Sequence, residues 1–216
     1  MGGRPKVEIM KPSEFFNQNG YLPLKSLIAD PENLKCEVPQ ERGLIKFLKN
    51  KIVHEPEDVQ VPGSVARYTV PEYKELHYLI KKQVEYVLEM DLYPTYYYDR
   101  FYFVGQELKR HTDREACEIS VTLQISTNAT KPWDIGFLTP AGKEVYYSMK
   151  DGDAVIYKGN QIEHWRNPLQ SRYNKFQKLY RKIFNLKDDT YHHQIFFHYV
   201  NANGSNLHYA YDNIVV

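Results

Sequence analysis

The chain has 216 residues, 28 Lys plus Arg against 27 Asp plus Glu, a formal net charge of +1 and two cysteines. That balance leaves no overall field to draw in nucleic acid or an anionic membrane, although a local patch stays open. Cys36 and Cys117 are too few for a disulfide framework and too far apart for a CxxC motif. No run of about 18 apolar residues suits a membrane span. Met1 to Lys6 lacks the apolar core of a secretory signal, so a reducing, cytoplasmic setting is expected.

Residues 1–40 read as irregular, because Pro5, Pro12, Pro23, Pro31 and Pro39 interrupt any long helix. A short helix is predicted after Pro12, and a second over Glu41 to Asn50. Residues 54–70 are polar and Pro-broken. They read as a surface connection, with a substrate-covering flap as the alternative. From Pro71 to about Met90 the spacing of Leu76, Ile80, Val84, Val87 and Leu88 predicts an amphipathic helix with Pro71 at its first position.

After Pro94 the pattern changes. Tyr96 to Val104, Cys117 to Ile125, Glu144 to Ser148, Ala154 to Tyr157, Glu163 to Arg166 and His193 to Val200 are rich in β-branched and aromatic residues and read as strands. Turn signals at Asn128-Ala129, Pro140-Ala141-Gly142, Asp151-Gly152 and Gly159-Asn160 separate them. Tyrosine occurs 19 times, and aromatics make up 14% of the chain, which suits half-buried pleated surfaces. Short strands at this spacing predict a sandwich or jelly roll. Residues 170–190 stand apart as a basic, helical-looking insertion at the barrel rim, with Arg172, Lys175, Lys178, Arg181, Lys182 and Lys187.

Within this frame Arg110-His111-Thr112-Asp113 reads as a strand end, placing an imidazole and a carboxylate on one face. A third ligand is expected from His164, on the strand that follows Gly152-Asp153-Ala154-Val155-Ile156-Tyr157. Two His and one carboxylate with open positions form the facial triad of non-haem Fe(II) oxygenases. Arg166, two residues beyond His164, would face the interior with it.

The run Tyr102-Phe103-Val104-Gly105-Gln106-Glu107-Leu108-Lys109-Arg110-His111-Thr112-Asp113, followed by His164, resembles the Fe(II)- and 2-oxoglutarate-dependent oxygenases of the prolyl-hydroxylase-like group. The resemblance covers roughly residues 96–204. It implies a mainly β fold with N-terminal helices (α+β), built on a double-stranded β-helix, the cupin-like jelly roll. Length and element pattern predict one domain over 1–216, with residues 1–95 as a helical and irregular support to the core over 96–204. His111, Asp113 and His164 would hold Fe(II), 2-oxoglutarate and dioxygen would take the open positions, and a C–H bond would be hydroxylated with release of succinate and CO2. The family places Arg or Lys about ten residues after the distal His for the cosubstrate's far carboxylate. Here Tyr173 and Asn174 stand there, which leaves Arg166 or Lys175, with Tyr102 and Gln124 as further hydrogen-bonding candidates. His192, His193 and His198 are expected to be structural or to line the rim. The expected substrate is a small molecule or a peptide side chain, with no nucleic acid and no membrane as partner. The competing readings are a metal-dependent hydrolase or isomerase on the same barrel and a non-catalytic ligand-binding jelly roll.

Overall fold

A computed structural model describes residues 10–39 and 60–212. The helix expected over Glu41–Asn50, and residues 54–59 of the expected connection, lie outside the described residues.

Alternating side chains on the strands explain the architecture. Helix α1 (Pro12–Asn19) and strand β1 (Tyr21–Leu24) come first, then β2 (Val65–Tyr68) and α2 (Lys74–Leu88). The strands β3 (Leu92–Phe103), β4 (Leu108–His111), β5 (Ile119–Thr127), β6 (Ile135–Leu138), β7 (Glu144–Tyr147), β8 (Ala154–Tyr157) and β9 (His164–Arg166) follow. Helix α3 (Lys175–Ile183) and the long strand β10 (Tyr191–Asn201) complete the chain. A six-stranded sheet in the order β1-β8-β5-β10-β3-β2 faces a four-stranded sheet in the order β4-β9-β6-β7, and every pairing is antiparallel. This is the expected mainly β, double-stranded β-helix fold.

The outer face of the larger sheet carries the main core. Ile195, Phe197 and Tyr199 of β10, Val121 and Leu123 of β5 and Ile156 of β8 pack under Phe16 of α1 and Ile80, Val84 and Leu88 of α2. Those α2 residues recur every four positions, so one stripe of the helix is buried, at roughly 1.5–3 kcal/mol per large apolar side chain. The helix starts where predicted, but Pro71–Tyr73 forms a 3-10 turn before α2 proper. His77 lies on the same buried stripe, with its Nε2 3.1 Å from the His198 carbonyl.

The inner face differs in kind. Two smaller apolar clusters occupy its flanks, one around Tyr98, Tyr102, Trp133 and Phe196, the other around Phe137, Val155, Tyr157 and Ile162. On β5 and β10, which the strand order puts between them, Ser120, Thr122, Gln124, Gln194 and His198 are buried polar groups.

Four expectations need correction. Residues 65–68, read as loop, form the edge strand β2 against β3. Strand β1 was not expected because Pro23 breaks its pattern, but as a sheet edge it tolerates the missing N–H. Strand β3 begins at Leu92 and runs through Pro94, beside a register slip opposite Phe197 and Tyr199. Finally, β4 stops at His111, so Asp113 is not on a strand.

Candidate metal centre

His111 and His164 are direct cross-strand partners in the small sheet, at the end of β4 and the start of β9. Their rings lie 4.3 Å apart at 52°. Asp113 reaches the same point from the loop after β4, which is held by its own N–H donating to the Gly159 carbonyl at 2.8 Å. Its Oδ1 is 3.4 Å from His111 Nε2 and 3.5 Å from His164 Nε2. Strand alternation therefore does not bring the pair together; a tied loop does. Gly159 is required there, because a Cβ would come within 2.4 Å of the Cys117 carbonyl and 2.6 Å of Asp113 Oδ2.

The hydrogen bonds fix the imidazoles for ligation. His111 Nδ1 is 2.8 Å from the Lys109 carbonyl, and His164 Nδ1 is 3.0 Å from the Ile162 carbonyl. A carbonyl only accepts, so each Nδ1 carries the proton and each Nε2 presents a lone pair to the shared point. Burial pushes the Asp113 carboxyl up, but His164, His111 and His198 outweigh it and hold it well below the usual carboxylate range. Two imidazoles and one carboxylate are a donor set that suits Fe(II).

Ser120 adds a support that the sequence did not reveal. Its hydroxyl lies 3.2 Å from Asp113 Oδ2 and 2.9 Å from His198 Nδ1. The Asp113 carboxylate and the Cys117 carbonyl, also 3.2 Å away, only accept, so the Ser120 proton is shared between them and His198 Nδ1 donates to Ser120. Burial pulls the His198 imidazole down to about 3. It is neutral at physiological pH, and its buried Nε2 has no hydrogen-bond partner among the described residues. The alternation of β5 and β10 was legible, but the pairing of Ser120 with His198 is a long-range register that no local pattern announces.

Deeper in the barrel, Arg166 shares the β9 face of His164, as expected, and is 2% exposed. Its Nη1 donates to the Trp133 carbonyl, its guanidinium lies 4.7 Å from the Trp133 ring centre, and its Nη2 has no partner among the described residues. Burial pulls this guanidinium down to about 10. The neighbouring Glu163 pairs with Arg110, at 3.7 Å. Around the same indole, at 4.8 and 5.0 Å, stand Tyr102 and His192, whose hydroxyl and two ring nitrogens are also buried and unpartnered. A buried cation with orphaned donors beside it fits an anionic ligand group.

The remaining candidates lie elsewhere. Gln124 is buried, but its Nε2 donates to Asp151 Oδ1 at 3.0 Å. Its neighbour across the strands, Gln194, is the one with an unpartnered Oε1. Lys175 is exposed at the start of α3. His193 faces the outer side and meets Asp99 Oδ2 at 2.8 Å.

From His111 and Asp113 a cleft of about 310 Å³ opens to solvent, lined by Tyr96, Tyr98, Arg100, Arg114 and His198 among others. Gln60 and Tyr68 also reach it, so the segment read as a plain connection contributes to the cleft wall. Tyr68 stacks on Tyr98 at 4.8 Å, and Tyr98 on Phe196 at 4.7 Å.

The chain matches no protein-family model and no curated protein sequence. Solved structures do resemble it. An oxidoreductase of the 2OG-Fe(II) oxygenase family from Burkholderia pseudomallei aligns with a TM-score of 0.60 at 9% identity, over 90% of this chain and 91% of that one. HygX from Streptomyces hygroscopicus, solved with nickel, 2-oxoglutarate and hygromycin B, aligns with a TM-score of 0.58 at 10% identity, over 86% and 84%. A prolyl-4-hydroxylase from Pseudomonas putida aligns with a TM-score of 0.56 at 10% identity, over 87% and 95%. In fold, the chain is similar to the 2-oxoglutarate- and Fe(II)-dependent oxygenases over most of its length.

Proposed function

We propose that the chain is an Fe(II)- and 2-oxoglutarate-dependent dioxygenase that hydroxylates a C–H bond of a small molecule or a peptide side chain, releasing succinate and CO2. One observation carries this reading: two imidazoles with their Nδ1 protons tied back and one carboxylate converge beside a buried arginine with an unsatisfied nitrogen.

His111, Asp113 and His164 would hold the metal. Iron held there would supply the chemistry that turns dioxygen, the oxidant, on the C–H bond, with 2-oxoglutarate as the reductant that is decarboxylated to succinate. Arg166 Nη2 would take the far carboxylate of 2-oxoglutarate, with Tyr102 and His192 as neighbours able to hydrogen-bond it. Trp133 holds the guanidinium in place, and the apolar cluster around it excludes water there. The Ser120–His198 chain orients the Asp113 carboxylate. Substrate would approach through the cleft along Tyr96 and Tyr98. A metal-dependent hydrolase is less well supported, because among the described residues lining the cleft Asp113 is the one carboxylate and no second acid is left to act as general base.

Anaerobic titration with Fe(II) and 2-oxoglutarate tests this. A visible metal-to-ligand charge-transfer band is expected from the intact chain and not from His164→Ala. The absence of the band at saturating 2-oxoglutarate would sink the reading.

A further inference from the structure

Helix α3 is built inside out. Large apolar side chains normally point toward a core, but here Phe176, Leu179, Tyr180, Ile183, Phe184 and Leu186 are between 47% and 84% exposed. They are six of the thirteen exposed large apolar side chains among the described residues, gathered within eleven positions. Phe176, Leu179, Tyr180 and Ile183 recur at three and four, so they share one face. A cluster of this kind marks an interaction surface, where scattered apolar residues would not.

The segment's polar groups meanwhile build a defined hairpin. Asn174 caps the helix by accepting from Gln177 N–H at 2.9 Å, and Gln177 Oε1 accepts from Asn174 N–H at 2.9 Å. This reciprocal cap supports a nine-residue helix that would otherwise be marginal alone. Arg172 and the Tyr173 hydroxyl bind Asp189 at 3.0 and 2.6 Å, and Arg181 stacks on Tyr173 at 4.2 Å. The apolar strip is thus held outward by a closed polar base.

Charge decides what the strip fits. Lys175, Lys178, Lys182 and Lys187 are exposed around it, and residues 172–187 contain no acidic residue. A second copy would bring the same cations against these, so self-docking of the strip is opposed. Closure over the cleft is opposed as well. The hairpin joins β10 at Tyr191, whereas His198 of the cleft stands seven positions further along that strand, about 23 Å away at the usual rise. An apolar strip bordered by lysines, with aromatic rings at Phe176 and Tyr180, matches the interface of an anionic bilayer.

We propose that α3 is a surface anchor that lays its apolar face into an anionic lipid membrane. This concerns peripheral contact; no described helix is long and apolar enough to cross a membrane. The test is flotation of the full chain with phosphatidylcholine vesicles, with and without phosphatidylserine. Binding about tenfold stronger with phosphatidylserine, weakened by high salt, is expected from several lysines near a charged surface. Leu179→Glu with Ile183→Glu should abolish binding while leaving the melting temperature unchanged, since both positions are solvent-exposed; should that pair disturb folding, Leu179→Ser with Ile183→Ser serves instead. Lys178→Glu with Lys182→Glu should remove the preference for phosphatidylserine. No binding to either vesicle, or binding indifferent to the Leu179 and Ile183 changes, overturns the proposal. So does a concentration-dependent dimer that those same changes dissolve, which would make the strip a contact between copies.

Discussion

The two faces of the six-stranded sheet are made by the same strands, yet they follow opposite chemistry. On β10, Ile195, Phe197 and Tyr199 point outward into the apolar core under α2, while His192, Gln194 and His198 point inward. On β5, Val121 and Leu123 face out, and Ser120 and Thr122 face in. Both faces are buried, so solvent does not explain the difference. Burying polar groups costs stability unless they are paired, and among the described residues the Tyr102 hydroxyl, both His192 nitrogens and Gln194 Oε1 on this inner face are unpaired, as is Arg166 Nη2 opposite them on β9 of the smaller sheet. The outer face holds the fold together, and the inner face gives up stability to keep a site ready.

Substitutions should separate the two faces. The largest stability effect is expected from the outer one: Phe197→Ala, fully buried in the main core, should cost about 3–5 kcal/mol. Chemical denaturation reads it, and the folded fraction should still bind metal with ordinary affinity. Weakened metal binding in that fraction would mean the faces are coupled.

In the barrel interior, on β9 of the smaller sheet, Arg166→Met should do the reverse. The apparent 2-oxoglutarate requirement should rise about 30- to 4,000-fold, the equivalent of roughly 2–5 kcal/mol for a lost charge-assisted pair. The ligand-free protein should melt higher, because a buried guanidinium with an unsatisfied nitrogen is gone. Arg166→Lys should restore only part of the affinity, since an ammonium lacks the planar fork. Unchanged 2-oxoglutarate dependence would remove Arg166 from the site.

The smallest effect concerns His77, under the outer face. Burial pulls its imidazole down to about 4, against a carbonyl hydrogen bond from His198 that favours the charged form. A folded value below the unfolded one means the unfolded chain takes up the proton first. Stability is therefore full above about pH 6.5 and declines as pH falls toward 4, by roughly 3 kcal/mol for this group, then levels off. His77→Phe should flatten that part of the curve, as read from denaturation midpoints at pH 7 and pH 5. Parallel curves for the two proteins would refute the assignment.

How much was legible follows the range of the forces involved. Strands β8, β9 and β10 announce themselves in runs of β-branched and aromatic residues, and His111, Asp113 and His164 were named from chemistry and spacing. The geometry that joins them was misread. Asp113 comes from a loop tied to Gly159, a contact made across 46 positions of sequence. Strand β1 hides behind Pro23, β2 within a polar segment, and β6 is short, its Gly136 leaving room for the Trp165 ring. Such strands exist because a neighbour offers an open ladder, which local propensity does not encode. His77 was passed over for the same reason, since the apolar spacing of α2 pointed to Leu76, which is only partly buried.

The edges of the large sheet also limit how this protein can be cut. β1 closes the ladder of β8 and β2 closes that of β3, each with four residues from the N-terminal third of the chain. A fragment beginning at residue 96, where the strand-rich region starts, would lose both, along with Phe16, Leu22 and all of α2 from the main core. It would expose two hydrogen-bonding edges and an uncovered apolar face, the ingredients of edge-to-edge aggregation. The segment ahead of the barrel is thus a lid on self-association, and expression of the barrel alone would be a matter of inclusion bodies before it was a matter of catalysis.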